Sequence, residues 1–518
     1  MSEHENGAKH ASQDQSAALR AQALAAIERF GRQRLLAIVL LLLLIASPWA
    51  PLSLLALVAY AVVTFRDPGL TVALLPLAAP FAYQPKRFFG PEFPVVELLL
   101  VLALATSALH LLLRWRRESR AGTGAATLLD TWDATRRFLL GPFGLPALAL
   151  GLLGAFSLLT VVDPSYLRES IREYRTVVIE PVIYFFLARA WLREQTLRRI
   201  AIWAFVGGAT LVSLLAIGQV ATGRGVVAVE GVRRALGTYD HPNALALFLL
   251  RAGTFIAAFL ALGASPRQIR AGWLPPLLIV VAIFLTFSRG ALVGLAIAII
   301  LLGIVMGLRR AAPALLAAAV IVVATLALAG AGLTILREGG GSLGLRQMIW
   351  ASTLAMIRDN PVFGVGLDQF YYQYAPRYVN PAAWGERFTS HPHNLFLDFW
   401  TRLGIMGFAW IVWTLATVAT VAARGWRAQT GEGRRLLFAA TIAAAAAVVH
   451  GLVDNFYFLI DLAFIWWFLL ALIAVASEAI DVEQRAAGDD ERATGRTRRR
   501  SATRREQARA RLLAEQKG

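Results

Sequence analysis

Apolar residues recur along this chain in runs near 20 residues long, from about Leu35 to Ser477, with no polar alternation inside them. As a helix, such a run spans roughly 30 Å, the hydrocarbon thickness of a bilayer. Strands of a membrane barrel would alternate apolar and polar positions, so the pattern excludes that architecture. The fold class expected is all-α, a polytopic helical membrane protein. Candidate spans are 35–48, 52–65, 69–83, 93–113, 138–161, 176–191, 198–220, 241–264, 272–287, 290–308, 312–335, 395–423, 436–453 and 456–477. Pro48, Pro51 and Pro68 shorten the first three. About twelve to fourteen transmembrane helices are expected.

The segments between the runs set the orientation. Short Arg-rich connections at 114–137, 192–199, 267–270, 309–310 and 424–435 all fall on one side, together with both termini. The positive-inside rule makes that side the cytoplasm. Three segments fall on the opposite side, namely 163–175, 222–242 and 337–392. The last, about 55 residues, is too long for a structureless connector. Leu345, Ile349, Trp350, Leu354, Met356 and Ile357, with Arg346 and Arg358 among them, predict an amphipathic helix that Asn360-Pro361 stops. Gly364-Val365-Gly366 predicts a turn, followed by the aromatics Phe370, Tyr371, Tyr372 and Tyr374. Such a segment is expected to lie on the outer membrane interface and roof a cavity. The chain then divides into a polar head at 1–34, a membrane domain at 35–477 with its large outer loop at 336–394, and an Arg-rich tail at 478–518.

Composition changes the picture in three places. The net charge is +18, and the densest basic block, Gly495–Arg511 in the Arg-rich tail, is expected on a cytoplasmic lipid surface rather than on nucleic acid. The absence of cysteine removes disulfides, thiolate metal sites and cysteine nucleophiles. The polar head is too long for the n-region of a signal peptide, so the first helix is expected to be retained. There is no HExxH, no P-loop and no compact carboxylate set on the outer face, and neither a metal nor a cofactor is expected.

Ionisable residues inside apolar runs are costly, by roughly 2.5–3.5 kcal/mol for a mid-span arginine, and usually serve a purpose. Arg251 and Glu180 are both mid-span and are candidates to pair with each other. Asp398 and Arg402 stand four apart on one helix and are expected to pair. Arg289, between Ser288 and Gly290, is either a turn residue or a cation aimed at a phosphate. His450 reads as a helix-end histidine, with Asp454-Asn455 as a polar cluster beyond it. His393 stands beside Asn394, two residues after His391, where the long outer segment meets an apolar helix. A histidine in that place is a candidate general base, or simply the start of a helix.

Four segments in order resemble the O-antigen ligase and O-antigen polymerase superfamily of bacterial glycan transferases. GTYDHPNALALFL, with Asn243, resembles the family's Gly-Thr-Phe…Pro-Asn segment. LTFSRGALVGL resembles its Ser-Arg-Gly turn, and RQMIWASTLAMIRDNPVFGVGLDQF the run before its histidine. His393-Asn394, nine residues, then Gly404 and Gly407 is similar to the ligase pattern His-[Asn/Ser/Arg]-x9-Gly-x-x-[Gly/Thr/Tyr]. The resemblance implies a multi-pass protein of the bacterial inner membrane. Its donor would be an undecaprenyl-pyrophosphate-linked glycan and its acceptor lipid A-core or another glycan, with metal-independent transfer on the periplasmic face. It places His393 as base and Arg289 as phosphate clamp. Arg172, Arg175 and Arg346 are further candidate clamps, and Asn394 is placed at the substrate.

The pattern leans toward a ligase acting on lipid A-core, with an O-antigen or exopolysaccharide polymerase or a protein O-glycan ligase as alternatives within the superfamily. A transporter of lipid-linked glycans is the rival from another class. It would more often show an internal repeat, which this sequence lacks.

Overall fold

The computed structural model describes residues 31–120, 138–229, 232–263, 272–307, 342–426 and 431–481, with single positions at 136, 316 and 320. Every predicted span except 312–335 is met by a helix, and that span lies outside the described residues but for positions 316 and 320. Among the described residues, seven helices are long and apolar enough to cross a membrane: Val95–Arg117, Gln195–Thr222, Pro242–Ala261, Arg289–Met306, Leu395–Gly425, Glu432–Gly451 and Ile460–Asp481. Shorter apolar helices run over Ala50–Thr64, Pro68–Phe81, Gly144–Ser157 and Leu274–Leu285. Sheet is limited to two small antiparallel hairpins, Lys86–Arg87 with Glu92–Phe93 and Val226–Val229 with Val232–Ala235.

The last helix, Ile460–Asp481, is the axis of the bundle. It is apolar all round, and 89% of its most apolar window is buried by protein, as expected of a helix with no lipid-facing stripe. Trp466 and Trp467 on it are fully buried. The Trp467 indole donates to Tyr457 Oη at 2.8 Å, and that hydroxyl donates to Val177 O at 2.9 Å. The alanine-rich Glu432–Gly451 helix packs on Pro242–Ala261 and Arg289–Met306. Small residues permit the close approach: a Cβ at Gly294 would lie 3.0 Å from Ala446 O.

The outer segment forms the predicted helix, Ser342–Asp359. The turn that follows is locked onto a kink in Leu395–Gly425. Gly404 there has φ 67° and ψ −164°, left-handed backbone that glycine adopts without strain. A Cβ at Gly404 would collide with Val362 O, and one at Gly364 with Thr401 O. Val365 N donates to Thr401 O at 2.6 Å and Ile405 N to Pro361 O at 3.2 Å. Gly407 meets the backbone at Phe399. The spacing from His393 to Gly404 and Gly407 is therefore the distance from the start of this helix to the kink that clasps the loop.

Two sequence expectations are corrected. Arg251 does not pair with Glu180. It donates to Leu247 O at 2.9 Å and Phe456 O at 2.6 Å, while Glu180 pairs with Arg175. A carboxylate set does form on the loop side: Arg402 bonds Asp398, as expected, and also Glu173, which accepts from Asp368 N. Glu173 lies 229 residues from Arg402, which hid the cluster.

Candidate active site

The site grows from the N-terminus of Leu395–Gly425. Asn394 caps it, its Oδ1 accepting from Phe396 N at 3.0 Å and Leu397 N at 3.2 Å. Its Nδ2 donates to Leu452 O at 3.0 Å, tying the end of the loop to the connection between the last two helices. Asn394, expected at the substrate, thus caps and tethers through its amide.

His393, the residue before the cap, has φ 52°. Left-handed backbone costs a non-glycine residue about 1 kcal/mol or more, and such strain tends to collect at functional sites. The ring is held at both nitrogens. Nδ1 lies 3.3 Å from Asp454 Oδ1, and Nε2 lies 3.3 Å from Thr389 Oγ1.

Asp454 is the hub of the cluster and is buried. Its Oδ1 also accepts from Asn455 N at 2.8 Å. Its Oδ2 accepts from Asn243 Nδ2 at 2.6 Å and from Arg346 Nη2 at 3.3 Å. Burial alone would push this carboxyl up. The histidines and donors around it instead hold it well below the usual carboxylate range. An ionised carboxylate only accepts hydrogen bonds, so it assigns the proton of neutral His393 to Nδ1. Nε2 then carries the free lone pair that a general base needs.

The His391 ring is tilted against that of His393, centroids 4.2 Å apart. Its Nε2 is 3.8 Å from Asp454 Oδ1, beyond hydrogen-bonding range, and is buried without a hydrogen-bond partner. Burial and the neighbouring His393 push His391 below the ordinary histidine value.

Two more elements close the cluster. The segment before Pro242–Ala261 is pinned by Gln219, whose Oε1 accepts from Gly237 N at 2.7 Å and Leu236 N at 3.2 Å. His241 caps the helix and Pro242 opens it. This aims Asn243 at Asp454. Asn243 Oδ1 in turn accepts from Arg234 Nη2 at 2.7 Å, and Arg234 Nε donates to Thr286 O at 2.6 Å. The Ser288–Gly290 turn packs on the far side. Ser288 Oγ is 3.3 Å from His450 Nε2, and a Cβ at Gly290 would meet the His450 ring and Val453. Arg289 therefore starts its helix on a turn seated against residues 450–453.

The structure thus gathers His393, Arg346, Asn243 and the Arg289 turn around Asp454. Arg172 and Arg175 have other partners. Arg172 pairs with Asp368 at 3.5 Å with its side chain 70% exposed. Arg175 pairs with Glu97 at 2.9 Å and with Glu180. Sequence reasoning missed Arg234, on a hairpin with no motif of its own, and took Asp454 as a polar cluster without a partner. The one signal for Asp454 was a carboxylate between two apolar spans on the same face as His393.

Residues 276–412 match a family model described as O-antigen ligase. The matched stretch holds Arg289, Arg346, His393, Asn394, Gly404 and Gly407, whereas Arg234, Asn243 and Asp454 lie outside it. No curated protein matches the chain.

Proposed function

From the match of residues 276–412 to the O-antigen ligase family model, we propose that this protein transfers a glycan from undecaprenyl-pyrophosphate to an acceptor hydroxyl. The transfer takes place on the periplasmic face of the bacterial inner membrane, without a metal cofactor. The observation that carries the reading is the 3.3 Å contact between His393 Nδ1 and Asp454 Oδ1, since a carboxylate that accepts Nδ1–H leaves Nε2 basic.

In this reaction the acceptor O–H gives its proton to His393 Nε2. Its oxygen attacks the anomeric carbon from the face opposite the pyrophosphate. The anomeric C–O bond breaks, and the electron pair leaves with undecaprenyl pyrophosphate. Thr389 holds the Nε2 position until the acceptor hydroxyl replaces it. The leaving group gathers negative charge, and arginines stabilise it. Arg346 and Arg234 reach Asp454, directly and through Asn243, with Arg289 on the adjoining turn. Arg172 and Arg175 serve farther along the donor. The acceptor proposed first is lipid A-core. A second glycan repeat or a protein hydroxyl would use the same chemistry.

Purified full-length protein in liposomes, given undecaprenyl-pyrophosphate oligosaccharide, should release the lipid pyrophosphate only when an acceptor is present. Parallel arms with lipid A-core, free oligosaccharide and protein separate ligase from polymerase and protein ligase. Movement of intact donor across the bilayer without bond cleavage would sink the enzymatic reading in favour of a transporter.

A further inference from the structure

We propose that His391, His393 and Asp454 form an inhibitory site for zinc or a similar divalent transition metal. Three observations meet here. Each residue offers one ligand atom, and the three atoms lie within 4.8 Å of one another. The distances to the shared carboxylate oxygen are 3.3 Å from His393 Nδ1 and 3.8 Å from His391 Nε2. Ligands about 2.0–2.1 Å from a tetrahedral zinc stand about 3.3–3.4 Å apart along the edges, so one edge is already in place and another is a side-chain adjustment away. The third observation is the buried, unpartnered Nε2 of His391. A buried polar atom left without a partner is costly, and this one faces the same carboxylate oxygen.

The donor set is two imidazoles and one carboxylate, which suits zinc and leaves a fourth position for water. Arg346 bonds the other carboxylate oxygen, Oδ2, at 3.3 Å, so Oδ1 is the oxygen turned to the histidines. The same Arg346 lowers the affinity for any cation, which suits a reversible inhibitor better than a resident metal. Oδ1 and His391 are drawn into this site without touching His393 Nε2.

The consequence for the reaction is a tautomer switch. A metal on Nδ1 takes the position that its proton holds in the pair with Asp454. A neutral imidazole then carries its single proton on Nε2, and that nitrogen can no longer accept the acceptor's proton. Inhibition would follow with no metal at the reacting atoms. This consequence rests on the His393 base reading, while the binding site itself does not.

The test uses untagged full-length protein in detergent. Zinc binding is measured by competition with a chromophoric chelator, and cobalt binding by the intense visible absorption of its tetrahedral complexes. One ion per wild-type chain is expected, with His391→Ala and Asp454→Asn each weakening it by about tenfold or more. His110→Ala, a histidine outside the cluster, should bind as wild type. Zinc should also raise the wild-type Tm and leave that of His391→Ala unmoved, which separates a lost ligand from a misfolded variant. Equal binding by wild type and His391→Ala overturns the site. The ratio of glycan transfer with and without zinc should fall at least tenfold for wild type and stay near one for His391→Ala. Full binding without that fall overturns the inhibitory part alone. If His393→Ala still transfers glycan, the base reading fails, while loss of zinc binding in the same variant upholds the site.

Discussion

Two buried charge clusters lie on the loop side of this protein, and they are built inside out from one another. One has a cation at its centre. Arg402 donates to both oxygens of Glu173 at 2.6 Å and to Asp398 at 2.7 Å, with Glu173 also accepting from Asp368 N. The other has an anion at its centre, Asp454, ringed by His393, Asn243, Arg346 and Asn455 N. The difference teaches what each is for. The Arg402 cluster spends its charges on itself and adds one outward bond, Nη2 to Ser390 O at 3.1 Å. It therefore props the segment that carries His391 and His393. The Asp454 cluster turns its donors inward and leaves His393 Nε2 on the side away from its centre, beside Thr389 Oγ1. One network holds the loop, and the other carries the base proposed for the reaction.

The largest effect expected from breaking this contrast is on turnover. His393→Ala should lower glycan transfer by about 10²–10⁴-fold, the usual worth of a general base, with an unchanged melting profile. Near wild-type transfer would remove His393 from the chemistry. Arg402→Met should act on the other side of the comparison. It strands two buried carboxylates, and breaking a buried pair costs about 3–5 kcal/mol. Thermal melting in detergent should fall sharply, and a variant that melts like wild type would show that the prop is dispensable.

The pH dependence sharpens the comparison further. Burial pushes Glu173 up to about 7 against the pull of Arg402, with Asp368 and Asp398 adding to the rise. In the unfolded chain this carboxyl titrates near the ordinary glutamate value, about 4.3. Between those two values the folded state binds the extra proton, so stability falls as pH rises through that window. Glu173→Gln should flatten the slope of Tm against pH from about 4.5 to 7. An unaltered slope would place the titration elsewhere. The smallest effect is expected at Arg172. Its pair with Asp368 is solvent-exposed on the arginine side, and such pairs contribute about 1 kcal/mol or less. Arg172→Ala should leave Tm within a degree or two, and a large rise in donor KM alone would mark it as a clamp.

Much of the fold was legible in the sequence because a bilayer demands runs of a fixed length. Spans beginning near Arg32, Gln195, Pro242, Leu395 and Glu432 stand within a few residues of where apolar content placed them. The loop helix over Ser342–Asp359 followed from its amphipathic pattern, and its stop from Asn360-Pro361. His393 could be singled out because histidine, asparagine and two glycines keep a spacing along one helix, and local spacing is a property of sequence. The pair of Asp398 with Arg402, four apart, was legible for the same reason; Asp454, Arg234 and the tie of Glu173 to Arg402 were not. Their partners lie 61, 9 and 229 residues away, and charge alone does not say which of many arginines meets which acid. The sequence by itself determined the bundle, the loop and the candidate base. Only the tertiary structure decided that Asp454 fixes the tautomer of that base, because a proton's place on an imidazole is set by the group facing it, and that group arrives from the far end of the chain.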